Sequence, residues 1–249
     1  GAGLMGADHI IRIENRIVGA QVAAVVEPDE GRAKAALADA PNAKWYPNID
    51  AAIAAGGIDA VLIATPGQFH EPVLLPALEA GLPILCEKPL TPDAESSLRI
   101  VEAEIATGKQ LIQVGFMRRF DAGYMELREL ISSGSQGELL GLHCAHRNPA
   151  VPDSYHNDML IFDSIVHEID VVRFLTDSPI KSVEVKYMKR NELSPDKLLE
   201  PILALLETES GVLATVEMNV SVQFGYQVKT EAVFQRGIAE IGRTAGLNL

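Results

Sequence analysis

Two short spacings in the chain combine residue types that together can move a proton and hold a charge. They are Glu87-Lys88-Pro89, and Asp163 followed four residues later by His167. A lysine ammonium can hydrogen-bond a substrate oxygen and stabilise negative charge developing on it. Residues at i and i+4 share one face of a helix, so Asp163 and His167 can meet, and Asp170 continues that face at i+7. A carboxylate beside a histidine favours the imidazolium and fixes the ring, which suits a base that accepts a hydroxyl proton. The bland readings are a surface lysine at 88 and a histidine satisfied at a domain interface at 167. A metal site built on Asp163 and His167 lacks a clear third ligand, so no metal is expected. His146 and Asn148 are two apart at the end of a strand-like run and face the same side. They can line a polar pocket, and surface roles fit the pattern equally well.

A second chemistry stands at the start of the chain. Gly1-Ala2-Gly3-Leu4-Met5-Gly6 is a GxGxxG pattern that opens a helical stretch. Gly1 makes a tight turn, Gly3 lets the backbone approach a pyrophosphate, and Gly6 permits close helix–strand packing. The helix N-terminus then offers free N–H groups and a positive dipole end to the phosphates. Glu27 ends the next apolar run. It can accept from ribose hydroxyls and would repel a 2′-phosphate, so NAD is expected rather than NADP. Arg32 could still favour a 2′-phosphate, but its place on a helix surface reads as a solvated role. A plain turn between strand and helix is the competing reading of the glycines. Such a pattern normally follows a buried strand and none precedes Gly1, so a short N-terminal stretch is expected to be missing.

These residues need a frame to hold them. Short apolar runs at residues 20–26, 60–64, 83–86 and 111–114 read as buried strands. Helical patterns at 4–15, 30–40, up to about 80, and 93–107 separate them. Strand–helix alternation of this length implies βαβ units and a parallel sheet. It places Lys88 at the C-terminal end of a strand, the edge where such sheets bind ligands. After Gly115 the pattern changes. A helix at 121–132, a strand at 139–146 and a helix at 159–175 precede period-two runs at 182–187, 202–207, 212–220 and 226–234. Glu209-Ser210-Gly211 supplies a hairpin turn. The fold class expected is α/β: a Rossmann domain over 1–115, then an α+β domain over 116–249 with a large, mainly antiparallel, open-faced sheet. Residues 246–249 carry no terminal helix signal, and a C-terminal part is expected to be missing as well.

Composition narrows the partners. Twenty-one basic residues against 34 acidic ones give a net charge of −13, which argues against a nucleic-acid backbone or an anionic membrane surface. Two cysteines, Cys86 and Cys144, cannot form a disulfide framework and suit a reducing, cytoplasmic compartment. No apolar run approaches the roughly 20 residues of a membrane span.

Taken together, Gly1-x-Gly3-x-Met5-Gly6, Thr65-Pro66 with His70, Glu87-Lys88-Pro89, Gly115-Phe116-Met117-Arg118-Arg119-Phe120 and Asp163-x-x-x-His167 resemble the Gfo/Idh/MocA oxidoreductases. The similarity runs over essentially the whole chain. Glu-Lys-Pro identifies only the superfamily. His143-Cys144-Ala145-His146-Arg147-Asn148-Pro149 and Val166-His167-Glu168-Ile169-Asp170-Val171 are more specific and point to the family's inositol-oxidising branch. The resemblance implies an NAD-dependent dehydrogenase with Lys88, Asp163 and His167 as its catalytic residues. It implies cofactor contacts from Gly1, Gly3, Leu4, Met5, Gly6, Glu27, Thr65, Pro66, His70, Glu87 and Lys88. It implies a polyol pocket from Lys88, Met117, Arg118, His146, Asn148, Asp163, Ser164, His167 and Tyr226. Ser164 stands where a threonine would be expected, and Phe224 where a tyrosine would. The substrate implied is a cyclic polyol such as myo-inositol, oxidised at a ring hydroxyl to a ketone. Other inositol isomers or sugars such as scyllo-inositol or glucose stand as alternatives, and so does an NAD(H)-binding regulator without turnover. A cis bond before Pro89 is implied too, as is pairing through the open sheet face into a homo-oligomer, commonly a tetramer.

Overall fold

Short apolar runs bounded by turn residues build the first of two units, Gly1–Gly115 and Phe116–Leu249. In the computed structural model residues 1–242 are described, and the expectation for 246–249 lies outside them. The first unit alternates α1 (Leu4–Arg16), β1 (Ala24–Val26), α2 (Glu30–Asp39), β2 (Lys44–Tyr46), α3 (Ile49–Ala55), β3 (Val61–Ile63), α4 (Glu71–Glu79), β4 (Ile84–Cys86), α5 (Ala94–Ala106) and β5 (Ile112–Val114). All strand pairs are parallel, as the alternation predicts. They form two sheets rather than one, β1–β2 and β3–β4–β5. Side-chain caps start α2, α3 and α5. Asp29 accepts from Arg32 N–H, Asn48 from Ala51 N–H and Asp93 from Ser96 N–H, each contributing about 1 kcal/mol. Ile63, Leu74, Leu78, Ile84, Cys86 and Ile100 form one core, and Ala2, Ile10, Val25, Ala36 and Ala40 a second. β2 and α3 lie where the sequence pattern assigns nothing. Three residues are too few to show a period of two, though Asn48 is a legible cap.

The second unit contains α6 (Ala122–Ser133), β6 (Leu139–Arg147), a helical turn α7 (Asn157–Met159), a π-helical segment (Leu160–Ile165), α8 (Val166–Thr176), and strands β7 (Ile180–Tyr187), β8 (Ile202–Thr208), β9 (Leu213–Asn219), β10 (Gln227–Phe234) and β11 (Ile238–Ile241). The six strands run in the order β11-β10-β6-β9-β8-β7. Every pair is antiparallel except β6–β9. The turn at Glu209–Gly211 joins β8 to β9 as expected, with Gly211 at φ +87°, a conformation that favours glycine. One face of the sheet (Leu142, Ala204, Val216, Met218, Ala232) packs against Tyr124 and Leu127 of α6 and Val171, Val172 and Leu175 of α8. Alternation turns His143, Ala145, Thr215, Glu217, Lys229 and Glu231 to the opposite, open face.

The helix expected at 159–175 is not a continuous α-helix. Its first part, Leu160–Ile165, is π-helical, and regular α geometry begins at Val166. The wider turn alters the helical face on which the i, i+4 reading of Asp163 and His167 rests. Asp163 sits in the π segment and His167 in the first turn of α8.

Candidate active site

The glycine loop of the first unit is built for close approach. A Cβ on Gly6 would lie 2.0 Å from the Gly1 carbonyl oxygen, so the helix can seat on the loop only with glycine there. The nearest atoms are the loop's own backbone, and Ala64, directly after β3, lies next at 3.7 Å. A Cβ on Gly1 would meet the Thr65 side chain at 2.7 Å, whereas Gly3 faces open space. Gly3 caps α1 with no side-chain hydrogen bond, leaving first-turn N–H groups for a ligand. Leu4 and Met5 follow it, both exposed. Among the described residues the one buried side-chain polar atom without a partner is Thr65 Oγ1, beside this loop. Such an atom costs about 1–3 kcal/mol unless something pairs with it. An uncapped helix start, open space at Gly3 and an orphaned hydroxyl together fit a dinucleotide.

Glu27 is 3% exposed and closes the loop from below. Its Oε2 accepts from Ala2 N–H at 2.8 Å, and its Oε1 from Asp29 N–H at 3.1 Å and Arg32 Nη2 at 2.8 Å. Burial pushes its carboxyl up, but the hydrogen bonds from Arg32, Ala2 and Asp29 outweigh this and bring it down to about 2. Arg32 is therefore not simply a solvated residue; it is the ion-pair partner of Glu27.

β4 ends at Cys86 and delivers Glu87, Lys88 and Pro89 at its C-terminal edge, with the Lys88–Pro89 bond cis. Glu87 Oε1 accepts from His9 Nε2 of α1 at 2.8 Å, tying this edge to the glycine-loop helix. His70 corrects the sequence reading. Its ring is fully buried, with Nε2 2.7 Å from the Thr65 carbonyl and Nδ1 2.9 Å from the Pro89 carbonyl. With both nitrogens engaged, the side chain clips the Thr65-Pro66 turn to Pro89 instead of reaching a ligand. Burial pushes the Cys86 and Cys144 thiols up to about 12, so neither is poised as a nucleophile.

In the second unit three buried polar residues from three elements meet. Arg118, in the 3-10 turn Met117–Phe120, donates from Nη1 to Glu168 Oε1 of α8. His146 at the end of β6 places Nδ1 3.0 Å from Glu168 Oε2 and 3.3 Å from Arg118 Nη2. Burial works against the Glu168 carboxylate, but the hydrogen bond from His146 and the Arg118 charge hold its carboxyl below the usual range. His146 Nε2 lies 3.2 Å from Asn148 Oδ1, so the two share one side, as their spacing predicts. The His146 ring meets Tyr226 edge-on at 5.6 Å and stands 6.1 Å from the His167 ring. Beside Asp163 and Ser164, the Tyr155 hydroxyl sits 2.6 Å from Ser164 Oγ and 3.5 Å from Asp163 Oδ2. Burial pushes that hydroxyl up to about 12, so it keeps its proton. Met117 is exposed next to Arg118. Asp170, expected on the His167 face, instead takes a two-pronged ion pair from Arg119, with Nε 2.9 Å from Oδ2 and Nη2 2.7 Å from Oδ1. Among the described residues no group of three or more His, Cys, Asp or Glu is placed to hold a metal ion.

Residues 1–116 match a family model described as an oxidoreductase family with an NAD-binding Rossmann fold, and residues 124–240 match the GFO/IDH/MocA C-terminal domain. An inositol 2-dehydrogenase from Corynebacterium glutamicum is 62% identical over 247 residues, covering 99% of this chain and 73% of the relative. The chain belongs to the Gfo/Idh/MocA oxidoreductase family. An inositol 2-dehydrogenase from Leifsonia xyli is 61% identical over the same shares of each chain. The crystal structure of myo-inositol dehydrogenase from Lactobacillus casei with NAD(H) and myo-inositol has a TM-score of 0.94 at 37% identity, covering 100% of this chain and 74% of that one. The scyllo-inositol dehydrogenase of the same organism, with NAD(H) and scyllo-inositol, has a TM-score of 0.88 at 27% identity over 100% and 76%.

Family membership makes the first unit an NAD-binding Rossmann domain. In this chain the sequence reading missed His9, which pairs with Glu87 in the first unit, and Glu168 and Tyr155 in the polar cluster of the second. Glu168 carried one weak signal: a charge set among Val166, Ile169, Val171 and Val172.

Proposed function

We propose that the chain oxidises one ring hydroxyl of a cyclic polyol with NAD, converting myo-inositol to its 2-ketone. The observation that carries this reading is the polar wall of the second unit: His167 on α8, His146 and Asn148 at the end of β6, Tyr226 just before β10 and Arg118 in the Met117–Phe120 turn. A polyol presents a hydroxyl at every ring carbon, and buried donors and acceptors reject analogues that leave them unpaired. Relatives named inositol 2-dehydrogenase support the same substrate.

Gly1, Gly3, Leu4, Met5, Gly6, Glu27, Thr65, Pro66, Glu87 and Lys88 would hold NAD, with His70 fixing the turn that carries Thr65. NAD, when bound, supplies the hydride acceptor for the carbinol carbon. His167, oriented by Asp163, takes the hydroxyl proton. Lys88 hydrogen-bonds the same oxygen and steadies the charge that develops there. Met117, Arg118, His146, Asn148, Ser164 and Tyr226 orient the ring and select the hydroxyl presented to His167. In this reading residues 1–115 bind the cofactor, and residues 116–249 bind the polyol and form a homotetramer through the open sheet face. The enzyme works in the cytoplasm, at an oxidative step of inositol breakdown. No helix among the described residues is long and apolar enough to cross a membrane, and both cysteines are free.

A second reading, oxidation of scyllo-inositol, is favoured by the structural likeness to the Lactobacillus casei scyllo-inositol enzyme. NADH formation by the full-length protein with myo-inositol, scyllo-inositol and glucose, each with NAD and NADP, tests both. Turnover confined to myo-inositol with NAD supports the proposal. Preference for another polyol moves the substrate. Tight NAD binding without turnover on any polyol overturns the enzymatic reading.

A further inference from the structure

We propose that Glu168 is a positioning residue for polyol recognition, acting through His146 and Arg118. This rests on the dehydrogenase reading above. Glu168 follows the base His167 in sequence, but successive residues on a helix point about 100° apart, so it projects to a different side of α8. There it is 1% exposed. A carboxylate buried to that degree persists only when charge and hydrogen bonds compensate it. Both of its oxygens are engaged. Oε1 accepts from Arg118 Nη1, and Oε2 accepts from His146 Nδ1 at 3.0 Å. Arg118 and His146 are themselves 5% and 3% exposed. One carboxylate therefore ties the 3-10 turn and the end of β6 to the helix that carries the base.

The consequence is directional. With Nδ1 held by Glu168, the His146 ring turns Nε2 toward Asn148 at 3.2 Å and its edge toward Tyr226. These are the groups assigned to the substrate hydroxyls. Glutamine at 168 keeps the size of the side chain but has a single acceptor oxygen. Its amide nitrogen then faces either Arg118 Nη1–H or His146 Nδ1. Arg118 is a full charge and keeps the oxygen. The imidazole loses its charged acceptor: Nδ1 can pair with the amide N–H only by accepting, which fixes the ring proton on Nε2 and changes what His146 offers to Asn148 and the substrate. The loss falls on how the polyol is seated, because Glu168 does not touch the reacting hydroxyl.

The test uses the full-length enzyme with NAD and whichever polyol the wild type oxidises. Glu168→Gln is expected to raise the KM for polyol by about tenfold or more, with kcat changing by less than about threefold and the NAD Kd unchanged. In a His146→Ala background the same substitution is expected to change KM by less than about twofold, because the group it acts through is gone. A merely structural residue lowers the folded, active fraction, moving apparent kcat and leaving KM alone. Should E168Q fail to accumulate as folded protein, Glu168→Asp, which retains both oxygens one methylene further back, replaces it in the same two backgrounds, with a smaller rise in KM expected only where His146 is present. An unchanged KM in a folded variant, or an equal rise in both backgrounds, overturns the proposal and leaves the dehydrogenase reading intact. A wild type that oxidises no polyol overturns that reading first, and the role of Glu168 with it.

Discussion

Glu27→Gln removes one charge from beneath the glycine loop and has a calculable pH signature. The native carboxylate accepts from Ala2 N–H, Asp29 N–H and the Arg32 guanidinium, and together they outweigh its burial and bring its pKa from an ordinary 4.5 to about 2. At about 1.4 kcal/mol per pH unit, that displacement corresponds to about 3 kcal/mol of native-state preference for the ionised form. Arg32 is 57% exposed, so solvent screens its share and the figure is an upper bound. Because the folded-state pKa is depressed, this stability is fully present above about pH 4.5 and is lost as the pH falls toward 2. About 2 of the 3 kcal/mol is gone by pH 3. Urea unfolding of wild type and variant, followed by circular dichroism at a series of pH values from 7 down to 3, reads it directly. The variant is expected to be less stable at pH 7, with the gap closing by up to about 2 kcal/mol at pH 3. A gap that stays constant with pH would refute the claim that the Glu27 charge, rather than its shape, secures Ala2 and Arg32.

Gly6→Ala places a methyl 2.0 Å from the Gly1 carbonyl and forces the loop off α1. NAD binding by calorimetry should weaken by roughly ten- to a hundredfold, the equivalent of about 1–3 kcal/mol of overpacking, and an unchanged Kd would count against the loop as the cofactor site. His167→Ala should lower kcat by roughly 10²–10⁴-fold with NAD affinity retained; near-normal turnover would remove His167 as the base. Arg119→Ala leaves the Asp170 carboxylate, 7% exposed, without its two-pronged partner. Urea unfolding should show a loss of about 3 kcal/mol, and a loss below about 1 kcal/mol would mean that solvent reaches Asp170 in the variant.

What was legible from residue order alone follows from how local each signal is. The glycine loop, the strand-end Lys88 and the hairpin at Glu209–Gly211 are set by neighbours within a few positions, and the structure places them as read. β2 and α3 escape because each is too short to show a period. The π-helical turn at Leu160–Ile165 escapes because an apolar pattern cannot distinguish a wide turn from an α turn. His70 and Arg32 are visible as residues, but their work is set by partners: backbone carbonyls that converge on the His70 ring, and a carboxylate five residues before Arg32 that the strand buries. Glu168 is the extreme case. A charge on a helix reads as solvated by default, and its partners stand 50 and 22 residues away in sequence. Yet the residues that share its helix face, Ile165, Val171, Val172 and Leu175, are apolar and buried. A carboxylate set among them must either be neutralised or find a cation, and Arg118 in the neighbouring Met117–Arg118–Arg119–Phe120 turn is that cation. The same physical demand that hides Glu168 from a pattern search makes its substitution informative, because the network it holds includes His146 and Arg118, the residues proposed to seat the polyol.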